Sequence, residues 1–181
     1  RIYEKHIKAG GKLSPRGCYY YARELRDHGR FEDAATQFTA FLDLHQGWAE
    51  DKINACEMLA DCLRQIGKHD EALNVLLKSF CYDSPRAEIC CEIGYHFKAL
   101  NNYRVAAYWF ESVFALPRPT DSVAFIRPDA WGFIPALECA VCYDAMGKTQ
   151  KANEFNELAA GYKPDAEEVR LNREYFMEKL L

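Results

Sequence analysis

Four short polar turns divide this chain, and the residues around each of them follow one rule. The turns fall at Gly29, Gly67, Asn101 and Gly147, and each separates two apolar-periodic stretches of helical spacing. Seven residues before each turn stands a small residue, Ala22, Ala60, Gly94 or Ala140. Five residues after it stands another, Ala34, Ala72, Ala106 or Ala152. Two helices that cross closely need a small side chain on each at the crossing, because a Leu there would force them apart. Larger side chains flank these sites: Tyr21, Leu59, Ile93 and Cys139 on the leading helices, Phe38, Leu76 and Phe110 on the following ones. The pattern predicts four antiparallel helix hairpins.

The turns at Gly67 and Asn101 lie 34 residues apart, the unit length of tetratricopeptide repeats. The other intervals are longer and need insertions, which the sequence places in the HQGWAED loop and between Pro117 and Pro135. The expected fold is all-α, a right-handed α-solenoid of about four tetratricopeptide-like hairpins in a single domain, with a helix at each end. The hairpins are expected over about 15–44, 52–80, 85–116 and 134–162, with a linking helix over 1–9, an insertion over 117–133 and a capping helix over 166–180. Ser14 and Pro15 mark a helix start, and Asp165 with Glu168 reads as a capping box. In the last hairpin Asn156 takes the place of a large apolar knob, which suits a final repeat covered in a different way.

A net charge of -4 leaves no basic footprint for nucleic acid or an anionic membrane. No apolar run approaches the roughly 20 residues of a membrane span, and no signal peptide is recognisable. The eight cysteines lie within apolar helical runs rather than in a disulfide framework, so a reducing, cytoplasmic location is expected. Cys139 and Cys142 form a lone CxxC without the second pair that a zinc site needs, and read as packing residues. The five histidines are scattered over turns and helix ends, and no nucleophile, base and orienter come together. Neither catalysis nor a cofactor is expected of this segment.

Binding is the function that the architecture suggests, through an inner surface lined by the first helix of each hairpin. Helical geometry selects Arg16, Tyr19, Arg23 and Arg26 in the first hairpin, Asn54, Glu57, Asp61 and Arg64 in the second, and Glu88, Cys91, Tyr95 and Lys98 in the third. The fourth offers Ile134, Leu137, Val141 and Asp144. The surface grades from basic to mixed to apolar, with Tyr19 and Tyr95 as rigid anchors. The alternative is that these charges only solvate the inner face. The insertion carries Phe125, Ile126, Trp131 and Phe133, too many apolar groups to remain in water. It either closes the apolar end of the groove, the favoured expectation, or contacts a partner.

Several phrases of the chain are more specific than a repeat consensus. RIYEKHIKAGGKLSPRGCYYYARELRDHGRFEDAATQFTAFL, GWAEDKINACEMLADC, PRAEICCEIGYHF and WGFIPALECAVCYDAMGKTQKA together resemble the repeat region carried C-terminal to bacterial family 2 glycosyltransferase domains. The resemblance covers nearly the whole chain. It implies a parent enzyme whose catalysis resides in an upstream nucleotide-sugar domain with an Asp-rich metal motif, and the opening helix would be the link to it. Nothing here matches that motif, so no catalytic residue is carried over. The Lys and Asn clamp of chaperone-binding repeats is absent, since Tyr19, Arg23, Met58, Glu88 and Glu92 stand at its places. So is the asparagine ladder of nucleocytoplasmic sugar transferases, for which only Asn54 is suitably placed. The partner is therefore expected to be a protein or peptide, a glycan acceptor, or a second copy of the chain.

Overall fold

The structure is a computed structural model that describes residues 2–44, 46–118 and 126–180. Among the described residues it is helical throughout, without a strand. The helices gather into two compact units, Arg1–Ser84 and Pro85–Leu181. The first holds α1 (Ile2–Lys8), α2 (Pro15–Asp27), α3 (Phe31–Leu42), α4 (Ala49–Gln65) and α5 (His69–Lys78). The second holds α6 (Ala87–Ala99), α7 (Tyr103–Ser112), α8 (Phe133–Ala145), α9 (Thr149–Tyr162) and α10 (Glu167–Leu180), with 3-10 turns at Val113–Ala115, after α7, and Pro128–Trp131, ahead of α8.

Each turn stops its helix by the same chemistry. Gly29, Gly67, Asn101 and Gly147 have φ of 73°, 79°, 57° and 73°, the left-handed region where a Cβ is penalised and Gly or Asn is favoured. The next residue donates its N–H back across the helix end, Arg30 to Leu25, Lys68 to Leu63, Asn102 to Phe97 and Lys148 to Tyr143, all within 2.8–3.0 Å. These bonds satisfy carbonyls that the helix end leaves unpaired, in the Schellman arrangement. The chain then re-enters a helix at once, which makes the antiparallel hairpin.

The small crossing residues are where the packing rule requires them. Ala22, Ala34, Ala60, Ala106, Ala140 and Ala152 are fully buried, and Ala72 is nearly so. At Gly94 a Cβ would stand 2.7 Å from the Phe110 ring, so α6 and α7 approach too closely even for alanine. Phe38, Leu76 and Phe110 fill the spaces beside these sites and are fully buried. Each such side chain contributes about 1.5–3 kcal/mol by burial. An exposed pair such as Arg170–Glu174 contributes a few tenths. Apolar packing within the hairpins therefore holds each unit together.

Three details differ from the sequence reading. Helix α4 begins at Ala49 rather than at Lys52, because Trp48 is extended and its carbonyl already accepts the Lys52 N–H at 3.1 Å. Helix α6 begins at Ala87, two residues beyond Pro85. Helix α10 begins at Glu167, and the Ala166 carbonyl accepts its first helical bond, from the Arg170 N–H. The residue preceding the helix is thus Ala166 rather than Asp165.

Asn156 is fully buried, and α10 is what covers it. Its amide donates to the Val169 carbonyl at 3.1 Å, and its carbonyl oxygen accepts from the Asn172 amide at 3.0 Å. The polar side chain that looked like a missing knob is a satisfied link between α9 and α10.

Candidate binding surfaces

In the first unit the accessible part of α2 is built around Tyr20, not Tyr19. Tyr19 lies three residues before Ala22, the crossing point, and so shares the face that packs on α3. It is 3 % exposed, with its ring 5.5 Å from Phe41 and edge-on to Phe38 at 6.3 Å. The reading of Tyr19 as a surface anchor is corrected on that ground. Burial pushes its phenol above the usual range, the Arg23 guanidinium pulling it partly back.

Tyr20 is 38 % exposed and stands between two arginines. The guanidinium carbons of Arg16 and Arg23 each lie 5.7 Å from its ring centroid, and Arg16 donates to its hydroxyl at 3.5 Å. This is cation–π geometry, with the cations one turn either side of the ring. Neither Arg16 nor Arg23 forms an ion pair with a carboxylate among the described residues, whereas Arg26 pairs with Asp27 at 3.0 Å. On α4, which packs against α3 and touches α2, Asn54, Glu57, Asp61 and Arg64 are all half-buried. The signal for Tyr20 was its i+4 spacing from Arg16.

The second unit presents its leading helix differently. Glu88 and Cys91, expected on an open surface, are 7 % and 2 % exposed. The turn Pro128–Trp131 lies over them. One oxygen of Glu88, Oε1, accepts the Arg127 backbone N–H at 2.8 Å and the Trp131 indole N–H at 2.9 Å. The Cys91 thiol lies 3.7 Å from the Ala130 carbonyl. One helical turn along α6, Glu92 stands 3.6 Å from the Arg127 guanidinium. Trp131 and Phe133 are buried, Ile126 is half-buried against the core that holds Trp131, and Phe125 lies outside the described residues.

Tyr95 is half-buried with its ring edge-on to Phe110 at 5.3 Å. Desolvation, with Glu138 nearby, raises its phenol well above the ordinary range. Lys98 pairs with Glu138 of α8 and lies 5.9 Å from the Tyr95 ring. On α8, Ile134 and Leu137 are half-buried and Val141 is exposed. Asp144 accepts from Tyr175 and Lys179 of α10, at 2.9 and 2.7 Å. The apolar quality expected of this hairpin is thus interrupted by a partnered carboxylate.

All eight cysteines are free thiols. Burial pushes Cys56 up to about 12 and Cys62, Cys90 and Cys142 up to about 11, and it raises Cys91 and Cys139 further. Thiols held in that state are poor nucleophiles and poor metal ligands at neutral pH. Among the described residues no group of three His, Cys, Asp or Glu side chains is placed to hold a metal ion. No described helix is long and apolar enough to cross a membrane.

No protein-family model matches the chain, and no curated protein matches its sequence. Solved structures do match its fold. A crystal structure of the MamA protein superposes with a TM-score of 0.68 at 16 % identity, over 88 % of this chain and 78 % of that one. YrrB, described as a TPR protein with an unusual peptide-binding site, gives 0.64 at 16 % identity, over 89 % and 75 %. A putative kinesin light chain of Podosopora anserina with nearly identical TPR-like repeats gives 0.59 at 18 % identity, over 86 % and 79 %. At these identities the likeness is one of fold: the chain has the all-α helix-hairpin fold of tetratricopeptide-repeat structures.

Proposed function

We propose that the chain is a non-catalytic protein- or peptide-binding and assembly module. The observation that carries this reading is the accessible face of α2, where Arg16 and Arg23 flank the exposed Tyr20 without a carboxylate partner among the described residues. An aromatic ring between two guanidiniums, of which Arg16 feels the Asp51 carboxylate only from beyond ion-pair distance, suits a peptide segment that brings carboxylates, through charge-assisted hydrogen bonds and ring contact together. The raised thiols and the scattered histidines favour binding over chemistry. The peptide-binding site named for YrrB is a property of that protein, and shows that the fold accommodates such a role.

The parent of this module, on the resemblance of its sequence phrases, is a bacterial family 2 glycosyltransferase. In it the module places an acceptor or a second subunit near an upstream active site in the cytoplasm. Sequencing the gene upstream of the Arg1 codon tests this, and a reading frame without a nucleotide-sugar domain there overturns it.

The binding reading is tested by fluorescence anisotropy with a labelled Asp/Glu-rich peptide and a Lys-rich control. The acidic peptide is expected to bind at least about tenfold better, in a salt-dependent way. Arg16→Ala with Arg23→Ala should remove that difference without changing the circular dichroism. Equal binding of the two peptides sinks the reading.

A second reading, homodimerisation, is favoured by α10, where Leu171, Tyr175, Met177 and Leu180 are all exposed. Light scattering decides it. A dimer that Leu171→Glu with Met177→Glu converts to monomer supports it, and a wild-type monomer rejects it.

A further inference from the structure

The covered face of α6 carries more than packing. Glu88 is a nearly buried carboxylate whose two donors, the Arg127 amide and the Trp131 indole, come from one short segment. Glu92, four residues on and therefore on the same side of the helix, faces the guanidinium of that segment's Arg127. The segment itself has little structure of its own. Its backbone bonds are those of a single turn, Ala130 N–H to Arg127 at 3.0 Å and Gly132 N–H to Asp129 at 3.4 Å. What holds it is side-chain contact from outside: Glu88 and Glu92 of α6, Arg118, which donates to the Trp131 carbonyl at 3.2 Å, and Lys163, which pairs with Asp129 at 2.5 Å. A cavity of about 340 Å3 lies beside the indole, lined by Arg118, Ile126, Pro128 and Trp131.

We propose that the Glu88–Glu92 face of α6 is a peptide-recognition site for a segment carrying a cation and an indole four residues apart, and that the chain fills it in cis with Arg127 and Trp131. This rests on the reading of the chain as a peptide-binding module and names a second surface with the opposite charge preference from α2. Two carboxylates one turn apart select a cation and an N–H donor in one ligand. The indole supplies the large apolar area that such sites use as an anchor. Release of the segment returns Glu88 to water instead of stranding it, so exchange leaves no orphaned charge. The cis segment competes at an effective concentration in the millimolar range, so an external peptide gains access when the cis indole is lost or outcompeted.

The test uses a labelled, end-blocked peptide with the sequence of residues 126–132, Ile-Arg-Pro-Asp-Ala-Trp-Gly, titrated by anisotropy. The Trp131→Ala chain is expected to bind it at least about tenfold tighter than wild type. Adding Glu88→Ala should abolish that gain, and a peptide with alanine for tryptophan should not bind. A folded Trp131→Ala chain that ignores the peptide, or binds it whether or not Glu88 is present, overturns the proposal.

Should Trp131→Ala fail to fold, hydrogen exchange on wild type decides. The Arg127 and Ala130 amides must open at least about 100-fold more readily than the slowest amides of α6. Exchange at the rate of those α6 amides makes the segment permanent core and rejects the proposal. The α2 assay reads Arg16 and Arg23 and does not depend on Trp131. Its failure overturns the acidic-peptide reading alone, while failure here leaves that reading intact.

Discussion

Helices α4 and α6 occupy the same place in their hairpins, thirteen residues before the turn standing Asn54 in one and Glu88 in the other. Both cross their partner at a small residue, Ala60 and Gly94. Yet their inner sides differ. The side chains of α4 at Asn54, Glu57 and Asp61 are half-buried, while those of α6 at Glu88 and Cys91 lie under the turn that precedes α8. The difference shows that hairpin packing is indifferent to what covers the inner face. The chain between two hairpins decides that, and a repeat with an aromatic insertion becomes a covered surface at no cost to its own crossing.

The largest effect should come from removing the cover. Trp131→Ala takes away a buried indole and one donor of Glu88, and should cost about 3–5 kcal/mol in urea unfolding of the second unit. The amides of α2 to α5, followed by hydrogen exchange, should keep their protection. Loss of protection in both units alike would show that they are one cooperative body and would break the comparison.

Alkaline pH provides the next distinction. The buried thiols titrate above the ordinary value near 9, so the folded chain keeps protons that the unfolded chain gives up. Stability is then fully present below about pH 9 and falls as pH rises toward the folded values of about 11 to 12. Four buried cysteines lie in the second unit, Cys90, Cys91, Cys139 and Cys142, against Cys56 and Cys62 in the first. The Cys18 thiol of the first unit is raised by burial as well, so four thiols stand against three, and the second unit should lose moderately more stability per pH unit over that window. Equal losses, measured as urea midpoints at pH 8 and pH 10, would remove this distinction.

The crossings sharpen the comparison further. Gly94→Ala puts a methyl 2.7 Å from the fully buried Phe110 ring and should destabilise by about 1–3 kcal/mol. Ala60→Gly in α4 creates no clash and should cost about 1 kcal/mol, mostly backbone entropy. If the two cost the same, the α6–α7 approach is not the closer one. The smallest effect is expected at a turn. Asn101 is the described non-glycine residue with positive φ, and Asn101→Gly should raise stability by up to about 1 kcal/mol, read as a small upward shift in the urea midpoint.

Much of the fold was legible from local sequence, because each hairpin packs mainly on chain neighbours. The helix ends at Gly29, Gly67, Asn101 and Gly147 follow from backbone chemistry within six residues. The binding surfaces were less legible. Placing Tyr19 outward required the angular position of one residue, and Tyr19 and Tyr20, only 100° apart on a helix, exchange roles when the face is misjudged by one position. Glu88 read as a groove residue because its partners lie about forty positions away in a segment with no periodicity.

The sequence by itself determined the hairpin count, the turns and the small crossing sites, since these depend on 3.6-residue periodicity and on which residues accept positive φ. Tertiary structure alone decided which faces stay accessible. Asn156 is satisfied by α10, Tyr19 is core through α3, and Glu88 is covered by Trp131. Each of these is a contact between elements whose meeting no local pattern encodes. The physical reason is that burial belongs to a pair of surfaces, and a sequence displays one of them at a time.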